Sequence, residues 1–181
     1  MKTLTLLRHA KAAVDDPVAR DFDRTLNQRG RLACRAIGKA MRSEGLMFDS
    51  IIASPAVRVT ETVTGVVDGY GRELRPDYDL RIYLASVSAL LEIVQHADDA
   101  SERLLIVGHN PGLENLALVL THDDGNGLRG EIAIKYPTAA LTEIHLPVER
   151  WSEVGEGAGT IVRFIRPRDL DPALGPDADS Y

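Results

Sequence analysis

The sequence predicts an α/β protein, a three-layer α/β/α sandwich around a mixed, mostly parallel central sheet. Short apolar runs at residues 4–7, 48–53 and 104–107 alternate with amphipathic helical stretches, the order expected of parallel strands buried on both faces. The later part of the chain is richer in strand-like segments than in helices, which makes the sheet mixed rather than purely parallel. At 181 residues the chain suits one core. Residues 1–170 are therefore expected to form a single domain, and residues 171–181, rich in Pro, Gly and Asp, a flexible tail.

Taken in order, residues 4–7 form the first strand, and Arg8-His9-Ala10 follows at its carboxyl edge, where open α/β sheets place their ligands. Residues 11–24 are polar, carry Pro17 and show no sustained period, so they read as a loop over that edge. Asn27 caps a helix whose rows Leu32-Ala36-Ala40 and Ala33-Ile37-Met41 make an apolar stripe ending near Gly45. Cys34, the one cysteine, lies on or beside that stripe as a packing residue, and no intrachain disulfide can form.

Residues 48–53 are the second strand, running into Ser54 as N-cap and Pro55 as first helical residue. Arg58 then sits about one turn inside, and because helical side chains lean toward the N-terminus it points back at the same sheet edge. Val59, Val63, Val66 and Val67 are the buried face of this helix, on a different flank from Arg58 and Thr62. Glu73-Leu74-Arg75 reads as a short strand stopped by Pro76, and Ser86 caps a helix with Val87, Leu90, Leu91 and Val94 on one face. The strand at 104–107 ends in Gly108-His109, and Asn110-Pro111 supply a cap and first residue for the helix of Leu113, Leu116, Ala117 and Leu120. After a loop through Gly130, residues 132–136, 140–146 and 160–165 read as three further strands, and Arg166-Pro167-Arg168-Asp169 leaves the sheet.

An arginine offers a fixed fork of donors that matches phosphate, and a neutral imidazole beside it can attack phosphorus. A single Arg-His pair after a strand is equally compatible with a solvated loop start. The argument strengthens because Arg8, His9, Arg58 and His109 converge on one sheet edge from three separate strand ends. The remaining histidines have other readings: His96 complements a helix C-terminus, His122 lies in a polar loop and His145 lies within a strand. None of the five histidines has the spacing of a zinc site, so no metal is expected. With 27 acidic against 21 basic residues and a net charge of −6, the chain lacks the footprint of a nucleic-acid or membrane-surface protein. No apolar run is long enough to span a membrane and the first strand starts at once, so a cytoplasmic location is expected.

Arg8-His9-Ala10 resembles the Arg-His-Gly signature of the histidine phosphatase superfamily, also called phosphoglycerate mutase-like. Ser54-Pro55-Ala56-x-Arg58-x-x-Glu61-Thr62 is similar to its second motif and Gly108-His109 to its third. The short length, Asp23-Arg24-Thr25-Leu26-x-x-x-Gly30 and the run from Val107 through Gly112 resemble SixA-type protein phosphohistidine phosphatases most. The resemblance implies a metal-independent phosphatase without cofactor, in which His9 is the nucleophile and Arg8, Arg58 and His109 hold the phosphoryl group. It also casts Arg24 as a third pocket arginine, against which stands a surface arginine paired with Asp21 or Asp23. Many members carry a glutamate general acid soon after a leucine in the region of residues 77–85. Here Leu80 is followed by Arg81-Ile82-Tyr83-Leu84-Ala85, which leaves the acid unassigned, with Asp79 as the nearest carboxylate. The expected partner is a phosphohistidine protein or a small phosphorylated metabolite. The alternatives are a small-molecule phosphomonoesterase acting on a sugar phosphate, nucleotide or phosphoglycerate, and a non-catalytic phosphate-binding module.

Overall fold

The first apolar run becomes β1 (Lys2–Arg8), the axis of the sheet in the computed structural model, which describes residues 1–14 and 20–175. On one side it pairs in parallel with β4 (Arg103–Gly108) and on the other in antiparallel with β5 (Leu141–Leu146). β2 (Ser50–Ala53) and the two-residue β3 (Asp77–Tyr78) extend the parallel side, and β6 (Thr160–Ile165) the antiparallel side. The order is β3-β2-β4-β1-β5-β6, a mixed, mostly parallel sheet.

Alternation along the strands divides the core between the two faces. Leu4, Leu6, Leu104 and Ile106 meet α3 (Val87–Gln95), α4 (Gly112–Leu120) and α5 (Leu128–Ile134) through Leu90, Val94, Leu113, Leu116 and Ile132. Leu7, Leu105 and Val107 face the opposite layer, α1 (Gln28–Ser43) and α2 (Val57–Tyr70), through Ile37, Met41, Val59, Val63 and Val66. Cys34 is fully buried in that layer. α1 and α2 touch backbone to backbone: a Cβ on Gly38 would lie 2.2 Å from the Val66 carbonyl oxygen, and one on Gly69 2.1 Å from that of Arg35.

The caps follow the side chains expected of them. Asn27 accepts from the Gly30 amide at 2.8 Å and Ser86 from the Ala89 amide at 3.2 Å. Four expectations are corrected. α2 begins at Val57, because the Ser54 amide still donates to the Val107 carbonyl at 3.0 Å and continues the strand ladder. Pro111 is the residue preceding α4, while Asn110 accepts from the Glu114 amide at 3.2 Å. The edge strand follows Pro76 instead of preceding it, since a proline is tolerated just ahead of an edge strand. Residues 128–134 are a helix, not a loop and the start of a strand: Leu128 and Ile132, four apart, pack on the core while Ile134 is 86% exposed. Short apolar runs of this kind satisfy either period.

After β6, α6 (Pro167–Leu170) and a 3-10 turn at Pro172–Leu174 return toward α1, where the Arg29 side chain donates to the Gly175 carbonyl. The rest of the expected tail, 176–181, and the centre of the expected loop, 15–19, lie outside the described residues. No helix among the described residues is long and apolar enough to cross a membrane.

Candidate active site

Register brings the strand ends together. Arg8 is level with Gly108 in the parallel ladder and Ala53 with Val107, so His9 and His109 leave neighbouring strands at one height and Ser54 leaves the third one residue below them. The two imidazole centroids are 5.3 Å apart. Arg58, in the first turn of α2, is 97% buried and reaches the same place, its Nη2 3.3 Å from Nδ1 of His109.

His9 Nδ1 lies 2.7 Å from the Ala10 carbonyl oxygen. A carbonyl only accepts, so Nδ1 carries the hydrogen and Nε2 keeps its lone pair. Burial pushes the imidazole pKa down to about 3, with the Arg8 charge acting in the same direction, so the ring is neutral throughout the physiological range. His109 is similarly held down, to about 4, by burial and then by Arg58. Its Nδ1 faces a guanidinium, which only donates, so the hydrogen is on Nε2 and donates to Ser54 Oγ at 2.8 Å. Ser54, expected as a helix cap, thus orients a site histidine. In this geometry His109 is neutral, and a bound dianion is what would favour its cationic form.

Arg8 donates from Nη1 to the Tyr136 carbonyl at 2.8 Å, and burial lowers its pKa. The Nε groups of Arg8 and Arg58 are buried donors without a hydrogen-bond partner among the described residues, a costly condition that an oxyanion would relieve. Among the described residues, Asp21 brings an anion into this cluster. Its backbone carbonyl and carboxylate accept from Arg58 at 2.7 and 3.0 Å, its other oxygen pairs with Arg24 at 3.2 Å, and Tyr83 donates its hydroxyl to it. The Tyr83 hydrogen bond first, and then the two arginines, lower the Asp21 pKa to about 2. Tyr83 also stands edge-on to His109, ring centroids 5.3 Å apart. Arg24 pairs with Asp21 and lines the same cavity as Arg8, His9 and Arg58. Asp79 is not among the lining residues: it caps the turn at Leu80–Ile82 and pairs with Arg81.

The other residues of the second motif brace the first. Thr62 Oγ1 accepts from the Ala10 amide at 3.0 Å and donates to the Arg58 carbonyl at 2.6 Å, while Glu61 accepts from the Leu26 amide at 3.4 Å. On the far side Ala139, at a left-handed φ of 61°, donates its amide to the His9 carbonyl at 3.0 Å. Neither Asp21 nor Tyr83 is marked by any periodic pattern as a neighbour of His109. Among the described residues no group of three His, Cys, Asp or Glu is placed to hold a metal ion.

The arrangement can receive an oxyanion between guanidinium groups and offer it a neutral imidazole nitrogen, which defines an α/β protein built for phosphoryl chemistry. The model of the histidine phosphatase superfamily, branch 1, matches residues 4–81. The uncharacterized protein Rv1276c of Mycobacterium tuberculosis is 30% identical over 164 residues, covering 90% of this chain and all of that protein. A crystal structure from Agrobacterium tumefaciens, described as a phosphohistidine phosphatase SixA, is 25% identical with a TM-score of 0.75 over 92% of this chain and 98% of that one. A SixA structure from Nakamurella multipartitia has a TM-score of 0.78 at 23% identity, over 92% and 96% of the two chains, and attests the fold. The chain belongs to the histidine phosphatase superfamily. Within it the chain is SixA-like, and it is a phosphatase.

Proposed function

We propose that the chain hydrolyses phosphohistidine on a protein by way of a phosphoryl group carried on His9. Nε2 of neutral His9 attacks phosphorus in line. The P–Nε2 bond forms as the bond to the leaving group breaks, and Arg8, Arg58 and Arg24 hold the negative charge on the equatorial oxygens. Water then attacks the same phosphorus, inorganic phosphate departs, and His9 returns to its neutral form. His109, its ring tilted by 56° against that of His9, stabilises the transferring group once the dianion draws a proton or a hydrogen bond from it.

The observation that carries this reading is the state of Asp21, the carboxylate bonded to Arg58 and Arg24 among the described residues. An alkoxide leaving group needs an acid, worth ~10²–10⁴ in rate. Asp21, with a pKa of about 2 and two arginines on it, is ionised and cannot serve. No carboxylate lines the cavity among the described residues. Imidazole, titrating near ~6.5, leaves without that help. A small-molecule phosphomonoesterase is the second reading, supported by a cavity of about 300 Å³.

The test compares a phosphohistidine peptide, a phosphoserine peptide and 3-phosphoglycerate at one pH in excess EDTA. The expected kcat/KM for phosphohistidine exceeds the other two by at least ~10², and His9→Ala abolishes both turnover and the acid-labile phosphoenzyme. Equal or faster hydrolysis of the alkyl phosphates would overturn the P–N preference and leave the phosphatase itself standing.

A further inference from the structure

The cavity that opens at His9 does not end at the phosphoryl site. Among the described residues, eight of the seventeen that line it are lysine or arginine and none is acidic, in a chain whose net charge is −6. Three of the eight, Arg8, Arg24 and Arg58, surround the proposed phosphoryl position. The other five, Lys11, Arg29, Lys135, Arg166 and Arg168, line the same cavity. The fold explains how they gather there. Leu7 pairs with Leu141 and Leu141 with Ile165, so Arg8 and Arg166 leave the sheet at the same level, on strands separated only by β5. Two strand spacings put the Arg8 and Arg166 backbone positions roughly 10 Å apart.

Charge pairing separates these residues further. Arg166 is engaged by Asp169 and Glu131, and Arg29 and Lys135 also have interactions. Lys11, two residues past the nucleophile, and Arg168, in α6, have neither a hydrogen bond nor an ion pair from their side chains among the described residues. Gathering like charges around one concavity is unfavourable unless an anion neutralises them, and such a concavity draws anions in. The volume of about 300 Å³ is also that of a site for a small organic ligand, with room beyond a phosphoryl group.

We infer that Lys11 and Arg168 form a second anion-binding subsite, which selects substrates carrying another anionic group within the span of the same cavity. The inference rests on the phosphoryl position proposed at His9. Its chemistry is the same whether the second anion is a further phosphate on a small molecule or a carboxylate flanking a phosphohistidine.

Calorimetric binding of alkyl monophosphonates and of alkane bisphosphonates, with spacers graded to bracket that span, tests it without reference to any leaving group. The best bisphosphonate is expected to bind about tenfold more tightly than its monophosphonate counterpart, the worth of one added charge-assisted contact. In Lys11→Gln/Arg168→Gln the ratio should collapse toward unity. Equal affinities in the wild type, or a ratio untouched by the double variant, would overturn the subsite while leaving the phosphoryl position intact. Failure of both phosphonates to bind would overturn the phosphoryl position and the subsite together. A pair of phosphohistidine peptides with acidic and neutral flanks locates the source: a larger wild-type increment here than between the phosphonates assigns a carboxylate, and a smaller one a second phosphate.

Discussion

If His9 and His109 are neutral because they are buried beside arginines, the protein's stability must report it. In the unfolded chain each imidazole titrates near 6.5, whereas in the fold the values are about 3 and about 4. As pH falls below about 6.5 the unfolded state takes up protons that the folded state refuses, so stability is full above that value and declines below it. At about pH 5 each histidine has withdrawn about 2 kcal/mol, and the pair about 4 kcal/mol. Asp21, with a pKa of about 2, does not titrate in this window. The perturbation is His9→Asn, which cannot titrate and can still donate to the Ala10 carbonyl. Urea unfolding of wild type and variant at about pH 7 and pH 5 is the assay. Wild type should lose about 2 kcal/mol more than His9→Asn across that interval, close to 1 M in midpoint for an m-value of about 2 kcal/mol/M. Parallel losses in the two proteins would refute the argument, because His9 would then titrate normally in the fold and its lone pair would be protonated at mildly acidic pH.

Three further outcomes are expected. Arg58→Ala removes a preorganised donor and should lower kcat/KM by ~10²–10³; steady-state kinetics check this, and a loss below about threefold would mean that Arg58 does not face the substrate. Asp21→Asn removes the carboxylate that competes for Arg58 and Arg24, so inorganic phosphate should inhibit roughly threefold to fivefold more strongly, the worth of a partly exposed ion pair. Weaker inhibition would instead make Asp21 a residue that positions Arg58. Gly38→Ala would drive a methyl group to 2.2 Å from the Val66 carbonyl oxygen and should cost about 1–3 kcal/mol, read as a lower thermal midpoint; an unchanged midpoint would show that α1 and α2 can separate freely.

The sequence by itself determined the strands at 4–7 and 104–107, the caps at Asn27 and Ser86, and the apolar stripes of the helices except for the expected Leu32-Ala36-Ala40 row, of which Leu32 is exposed while the Ala33-Ile37-Met41 row is buried. In each of these the preference of the local chain and the demand of the core coincide. It also marked Arg8, His9, Arg58 and His109, because each directly follows a strand or opens a helix, and order along the chain then nearly fixes position at a sheet edge. Tertiary structure decided what depends on pairs distant in sequence. Residues 128–134 became a helix because Leu128 and Ile132 found one apolar surface, a surface that exists only once β6 has returned to the sheet. Lys2 is buried at the opposite end of β1, its amine held by the Asp99 and Ser101 carbonyls and standing over Trp151. Asp21 reached Arg58 and Tyr83, and Ser54 reached His109, across separations of 37, 62 and 55 residues. No periodicity encodes such contacts, since periodicity records which face of an element is apolar and carries no information about which polar side chain another element will bring against it.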